Sequence, residues 1–200
     1  MENIAVFASG KGTNFTAIAK AVKSGLVKAN LSLLVCDQPK ALVLKRAKKE
    51  GIKSIVIQRG GFKKRPDFEN KIVAALKKEK IGLIVLAGFM RILSPAFIKL
   101  YRGKILNIHP SLLPSFKGSN AIKDAFNYGA KLTGVTVHFI DELVDHGPII
   151  LQKEVLIKNN DTLPMLEKRI HNLEHKLYPQ AIRLFLKGGL KIKSRRVLIN

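Results

Sequence analysis

Short apolar runs alternate along this chain with stretches whose apolar side chains recur every three or four positions. The runs NIAVFAS, LSLLVCD, SIVIQ, GLIVLAG and KILNIH are read as strands. Helices are expected over residues 13–23, over 40–50, from Pro66 onward and, briefly, after Ser94-Pro95. In the third of these, Phe68, Ile72 and Leu76 recur at i+4 with Val73 beside them, which makes one apolar face. This β-α alternation predicts an α/β fold: a mostly parallel twisted sheet flanked by helices.

Beyond Gly118 the period changes. A helix, AIKDAFNYG, ends at Gly129, and two longer strands follow, TGVTVHFI and PIILQKEVLI, with residues 141–147 between them. Antiparallel strands are therefore expected in the C-terminal part. On the first of them Val135, Val137 and Phe139 face one way, and Thr136 and His138 the other. A long helix is predicted over 162–187, with Pro164 in its first turn and a kink at Pro179. Its apolar stripe is Leu163, Leu166, Ile170, Leu173 and Leu177, with Glu174 at the edge between Ile170 and Tyr178. The tail LKIKSRRVLI has the composition of one or two short strands. No repeat, low-complexity tract or linker interrupts the pattern, so one domain over residues 1–200 is expected.

Composition narrows the class. Of the 200 residues, 46% are hydrophobic and 25% charged, the balance of a globular chain with a sizeable core. The longest apolar runs are too short to span a bilayer, so no membrane partner is expected. The opening MENIAVFASG reads as a first strand and not as a secretory signal. The lone Cys36 cannot form an internal disulfide, which suits a reducing cytoplasm. Charge adds more: 36 Lys and Arg against 14 Asp and Glu leave a formal +22, a field that attracts phosphates and polycarboxylates. The lysines fall in short clusters, RAKKEG, GFKKRPDF and LKKEKIG, and not in one stripe. With three Tyr, ten Phe and no Trp there are few stacking platforms, so anionic small ligands are expected and no specific nucleic acid.

Three stretches could carry chemistry. The first βα turn, ASGKGTNF, places Gly-x-Gly at a helix start, where backbone N–H groups and the helix dipole suit an anion. It is neither a dinucleotide fingerprint, since Phe15 stands at the third glycine, nor a Walker A loop; a site for one phosphate or a ligand-free tight turn remain. In NIHPSLLPSFKG a strand ends on Asn107 and His109, whose i, i+2 spacing points both side chains to one side. An amide donor beside an imidazole is what a carbonyl-centred reaction needs; a strand end before a Pro-fixed turn is the plainer alternative. No Gly-x-Ser-x-Gly elbow suggests an acyl-enzyme. The loop in IDELVDHGPII matches no zinc spacing, and no metal is expected. Asp145 is instead placed to orient and charge a nearby His. Glu174, half in the apolar stripe, needs a partner: a ligand group or a solvated flank.

SGKGTN, LAGFMRILSPAF, NIHPSLLPSFKG, GVTVHFIDELVDHGPII and EHKLYP occur here in order. Together they make the whole chain resemble the phosphoribosylglycinamide formyltransferases, a folate-dependent family of purine biosynthesis with a Rossmann-like formyltransferase fold. The resemblance implies transfer of a formyl group from 10-formyltetrahydrofolate, as co-substrate, to the primary amine of glycinamide ribonucleotide. It implies that Gly12, Thr13 and Asn14 hold the substrate phosphate and Glu174 its ribose end. Arg65, Met90, Arg91, Ile92, Leu93 and Asn107 would line the folate site, with the loop Asp141, Glu142, Leu143, Val144 and Asp145 closing over the pterin. The implied catalytic set is Asn107 for the tetrahedral oxyanion, His109 as proton donor and Asp145 to keep that imidazole charged and oriented. Ser119, Asn120, His146 and His171 carry no implied role. A monomer or weak homodimer is expected. Rival readings are a methionyl-tRNA formyltransferase-like domain, for whose C-terminal β domain this chain has no room, and a formyltetrahydrofolate hydrolase, usually preceded by a regulatory domain. A non-catalytic RNA-binding domain would need a basic stripe with aromatics.

Overall fold

The computed structural model describes residues 1–199. Within the span read as one domain, the chain packs as two compact units, Met1–Leu106 and the residues from Asn107 on. The first unit holds β1 (Glu2–Phe7), α1 (Thr13–Lys23), β2 (Ala29–Cys36), α2 (Leu42–Lys49), β3 (Ser54–Val56), α3 (Arg65–Lys78), β4 (Ile81–Leu86) and α4 (Pro95–Leu100). A single 3₁₀ turn, Arg59–Gly61, precedes α3. Its strands are all parallel in the order β3-β2-β1-β4. Ile4, Ala5, Val6 and Phe7 of the inner strand β1 are fully buried, which is why a parallel strand reads as a continuous apolar run and not as an alternation. Phe7 meets Phe89 and Phe97 edge-on, at centroid distances of 5.3 and 6.4 Å. α1 and α2 pack on β2, and α3 packs on β4. The α3 stripe of Phe68, Ile72 and Leu76 is buried as its period predicts, and Glu69 is buried with it.

β5 (Ile105–His109) carries the chain across the boundary. The second unit holds α5 (Ala121–Asn127), β6 (Leu132–Phe139), β7 (Ile149–Leu156), α6 (Leu163–Leu186), β8 (Leu190–Lys193) and β9 (Arg196–Ile199). β6 and β7 are antiparallel, as expected. The tail forms an antiparallel β8–β9 hairpin joined to β7 at one position, Ile149 beside Arg196. Its turn is Ser194-Arg195, with Ser194 at φ 55°, a left-handed conformation that glycine adopts more readily; KSRR is thus no hairpin signal.

α6 packs on β6 and β7 and differs in detail from its sequence pattern. Leu163 and Leu173 are only half-buried, and the covered stripe runs through Leu166, Ile170, Glu174, Leu177, Tyr178, Ala181 and Ile182. Glu174, expected at the edge, is therefore fully inside. The helix continues through Pro179 to Leu186. Among the described residues no helix is long and apolar enough to cross a membrane.

Candidate active site

Asn107 lies in the middle of β5 and His109 at its C-terminal end, the side of a parallel sheet where ligands bind. His109 is buried at 4% exposure. Its Nε2 lies 2.8 Å from the Phe116 carbonyl oxygen, and its Nδ1 3.4 Å from Asp145 Oδ2. Both ring nitrogens thus face protein oxygens. The same Asp145 oxygen accepts the Gly118 N–H at 2.8 Å. Asp145 itself sits at φ 47°, a left-handed conformation that Asp tolerates better than most residues. At Gly147 the chain presses against the end of β6: a Cβ there would lie 1.9 Å from the Phe139 carbonyl oxygen, so no other residue fits without a shift.

His138 completes the cluster. The β6–β7 register shifts between Val137 and His138, where β7 carries the extra residue Ile150 opposite an uninterrupted β6. The ring has no exposed surface. Burial pushes its pKa below the ordinary value, outweighing the raising effect of its hydrogen bond to Phe139 and of the Asp145 charge. The neutral ring donates Nδ1–H to the Phe139 carbonyl oxygen at 2.7 Å, which leaves Nε2 as an acceptor. That acceptor takes an N–H from Asn107 Nδ2 at 3.1 Å. The carboxamide is therefore turned with its nitrogen toward His138, and the second N–H of that nitrogen remains for another acceptor.

Thr136, two residues earlier on the same side of β6, anchors the loop beyond β5. Its fully buried hydroxyl donates to the Ser111 carbonyl oxygen at 2.7 Å and accepts the Leu113 N–H at 3.1 Å. Gln152 Nε2 donates to both the Leu113 carbonyl oxygen and the Thr136 hydroxyl, each at 2.9 Å. The Leu113–Pro114 peptide is cis. Prolines alone do not hold this loop; a buried hydroxyl and an amide do.

In the first unit, Gly12 caps α1 at φ 73° with no side-chain cap and no acid in the first turn. The leading N–H groups of α1 are thus unopposed by any local carboxylate. A Cβ on Gly12 would lie 2.5 Å from Val43 Cγ2, because α2 packs directly against the turn. Val43 N–H donates to the Gly10 carbonyl oxygen at 3.1 Å, and Arg46 straps the turn through the Lys11 carbonyl oxygen at 2.8 Å and Thr16 Oγ1 at 3.2 Å. Thr13 is half-buried and Asn14 buried.

The segment from Gly88 to Leu93 is similarly tied down. Ser9 Oγ accepts the Met90 N–H at 2.9 Å. Arg91 Nε pairs with the buried Asp37 at 2.7 Å. Arg65 bonds the Ile92 carbonyl oxygen and pairs with Glu69 at 3.1 Å; Glu69 also accepts the Ser94 N–H at 2.8 Å. Met90 and Ile92 present exposed apolar side chains, whereas Leu93 is buried. In the second unit Leu143 and Val144 are exposed at their loop tip, and Asp141 accepts from the Leu143 N–H and pairs with His146. Glu174 meets His171 Nδ1 at 3.0 Å.

The residues expected to act together in the second unit, Asn107, His109 and Asp145, do converge, and Gly12, Thr13 and Asn14 form one helix start. Sequence reasoning missed His138, Arg46, Glu69 and Asp37. For His138 the signal was its parity with Thr136 on β6; Arg46 and Asp37 have partners far away in sequence, and Glu69 joins its near neighbour Arg65 to the distant Ser94. Among the described residues, no group of three or more His, Cys, Asp or Glu could hold a metal ion.

Comparison with known proteins agrees in extent as well as in kind. The Formyl transferase family matches residues 2–182. The chain is 46% identical over 186 residues to phosphoribosylglycinamide formyltransferase of Bacillus subtilis, covering 93% of this chain and 95% of that one. It is 41% identical to a human trifunctional purine biosynthetic protein, adenosine-3, over 94% of this chain but only 19% of that longer one. Among solved structures, glycinamide ribonucleotide transformylase 1 from Symbiobacterium toebii aligns with a TM-score of 0.97 at 39% identity, covering 100% of this chain and 94% of that one.

Proposed function

This chain belongs to the formyl transferase family, and from that premise we propose that it is a phosphoribosylglycinamide formyltransferase of purine biosynthesis. It transfers the formyl group of 10-formyltetrahydrofolate to the primary amine of glycinamide ribonucleotide. The observation that carries the reading is the arrangement of Asn107, His109, His138 and Asp145. The amine attacks the formyl carbon directly, and the carbonyl oxygen gains charge as the carbon becomes tetrahedral. The second N–H of Asn107 Nδ2 donates to that oxyanion, in an orientation set by His138. His109, with acceptors at both nitrogens, moves the proton that the amine loses and the folate nitrogen gains. Asp145 fixes the His109 ring.

Gly12, Thr13 and Asn14 are assigned to the nucleotide phosphate, an assignment supported by the uncapped start of α1 and the basic strap from Arg46. Glu174 is assigned to the ribose. Arg65, Met90, Arg91, Ile92 and Leu93 are assigned to the folate, with the loop Asp141–Asp145 covering its pterin. A cytoplasmic monomer or weak homodimer fits this role. Incubation with glycinamide ribonucleotide and 10-formyltetrahydrofolate is expected to yield tetrahydrofolate and formylated nucleotide in equal amounts. Release of formate with no formylated nucleotide would make the protein a hydrolase instead.

A further inference from the structure

We propose that Arg195, at the tip of the C-terminal hairpin, is a positioning residue for the loop of residues 141–147. The guanidinium reaches that loop at two points. Nη1 lies 3.0 Å from His146 Nε2 and 3.3 Å from its Nδ1, and Nη2 donates to the His146 carbonyl oxygen at 2.8 Å. His146 in turn contacts Asp141 Oδ2 through Nδ1 at 2.7 Å, and Asp141 Oδ1 accepts the Leu143 N–H at 3.1 Å. The donors fix the chain of contacts. His146 thus stands between a guanidinium that only donates and a carboxylate that only accepts. The two ends of the network are the hairpin and the loop tip.

The hairpin is placed for this by its attachment to the sheet. β9 joins β7 at Arg196 beside Ile149, the first residue of the strand that leaves the loop. Arg195 is the residue before that attachment, and the left-handed turn at Ser194 delivers it there. An exposed arginine seldom holds one geometry, because its rotamer entropy opposes it. Here a forked donor engages a ring and a backbone carbonyl of the same residue, which favours one pose. Asp145, which contacts His109, is the neighbour of the clasped His146, so the clasp restrains the carboxylate as well as the loop tip. The inference rests on the reading of Asp141–Asp145 as the folate-covering loop.

Two measurements on the full chain separate the two ideas. Amide hydrogen exchange across 141–147 reads the clasp without any substrate. In Arg195→Ala, exchange at Leu143 and its neighbours should quicken about tenfold, and in Arg195→Lys, which keeps charge but loses the fork, by less. In steady-state assays Arg195→Ala should raise KM for the formylfolate about five- to tenfold, with KM for the nucleotide within about twofold of the parent. Unchanged loop exchange in Arg195→Ala, or equal losses for both substrates, overturns the proposal. If the parent forms no formylated nucleotide, the functional reading fails by itself, and exchange alone decides the clasp.

Discussion

His138 lies at the point where burial becomes orientation. Its ring is kept neutral by removal from water, its tautomer is set by the Phe139 carbonyl, and the remaining lone pair turns the Asn107 amide. His138→Phe keeps the ring volume and removes the lone pair. Turnover should fall on the order of 10²-fold, the scale of losing one oxyanion donor, while both Michaelis constants change little. The same substitution has a pH signature. Burial holds the folded His138 below its ordinary value of 6.5, so as pH falls the unfolded chain takes up a proton first. Stability that is full above 6.5 is thus lost as pH drops through the lower folded value. Urea midpoints should therefore decline less in His138→Phe than in the parent between about pH 7 and pH 5. Parallel declines would show that the fold does not hold His138 below its ordinary value.

At the scale of elements, the start of α1 and the side of α2 are interlocked at Gly12 and Val43. Gly12→Ala demands a left-handed alanine, costing about 1–2 kcal/mol, and drives its methyl into Val43. KM for the nucleotide should rise about tenfold, with that for the folate nearly unchanged. Adding Val43→Ala, which clears the collision but not the backbone strain, should restore part of the loss; no restoration would mean that strain alone matters. A second link ties β7 to α6. Arg169 bonds Asp161 and the Leu156 carbonyl oxygen, and its hydrogen bonds to Asp161 hold that carboxyl down at about 2, from an ordinary 3.8. The unfolded chain protonates Asp161 first, so its contribution is present above 3.8 and lost as pH falls through about 2. Asp161→Asn should lower the urea midpoint at pH 5 to 7, with the gap to the parent closing toward about pH 2. A gap independent of pH would point to lost packing.

At the scale of the molecule, most of the lysines and arginines lie in the first unit, with the residues assigned to the phosphate and with Arg65 and Met90–Leu93 of those assigned to the folate. A field of this kind acts beyond contact distance but is screened over about 10 Å at 0.1 M salt. KM for a polyglutamylated formylfolate should therefore climb with salt more steeply than KM for the monoglutamate. Equal slopes would make the charge a matter of solubility. The strand-helix order was legible because each inner strand must be apolar on both faces and each helix on one. The pairing of Asn107 with His109 was legible because i, i+2 parity is local geometry. His138 was hidden because burial on both faces of β6 makes a polar position read as solvent-facing. Arg46 and Arg195 were hidden because a basic residue on this surface looks like its many neighbours. Glu174 was misjudged by half a helix face, since a carboxylate inside a stripe is read as its edge.

The cluster of Asn107, His109, His138 and Asp145 leans on the main chain as well as on its own side chains. His109 bonds the Phe116 carbonyl, His138 the Phe139 carbonyl, and Asp145 the Gly118 amide. Point substitution at 139 exchanges a side chain yet leaves the carbonyl in place, whereas Phe116, at φ 49°, holds a left-handed conformation that β-branched residues resist. The cluster is accordingly buffered against amino-acid drift in its surroundings, including at Ser119 and Asn120. Insertions and deletions are another matter. One residue gained or lost between Ser111 and Gly118 would move the Phe116 carbonyl and the Gly118 amide together, so length, not composition, is what divergence in this loop must preserve.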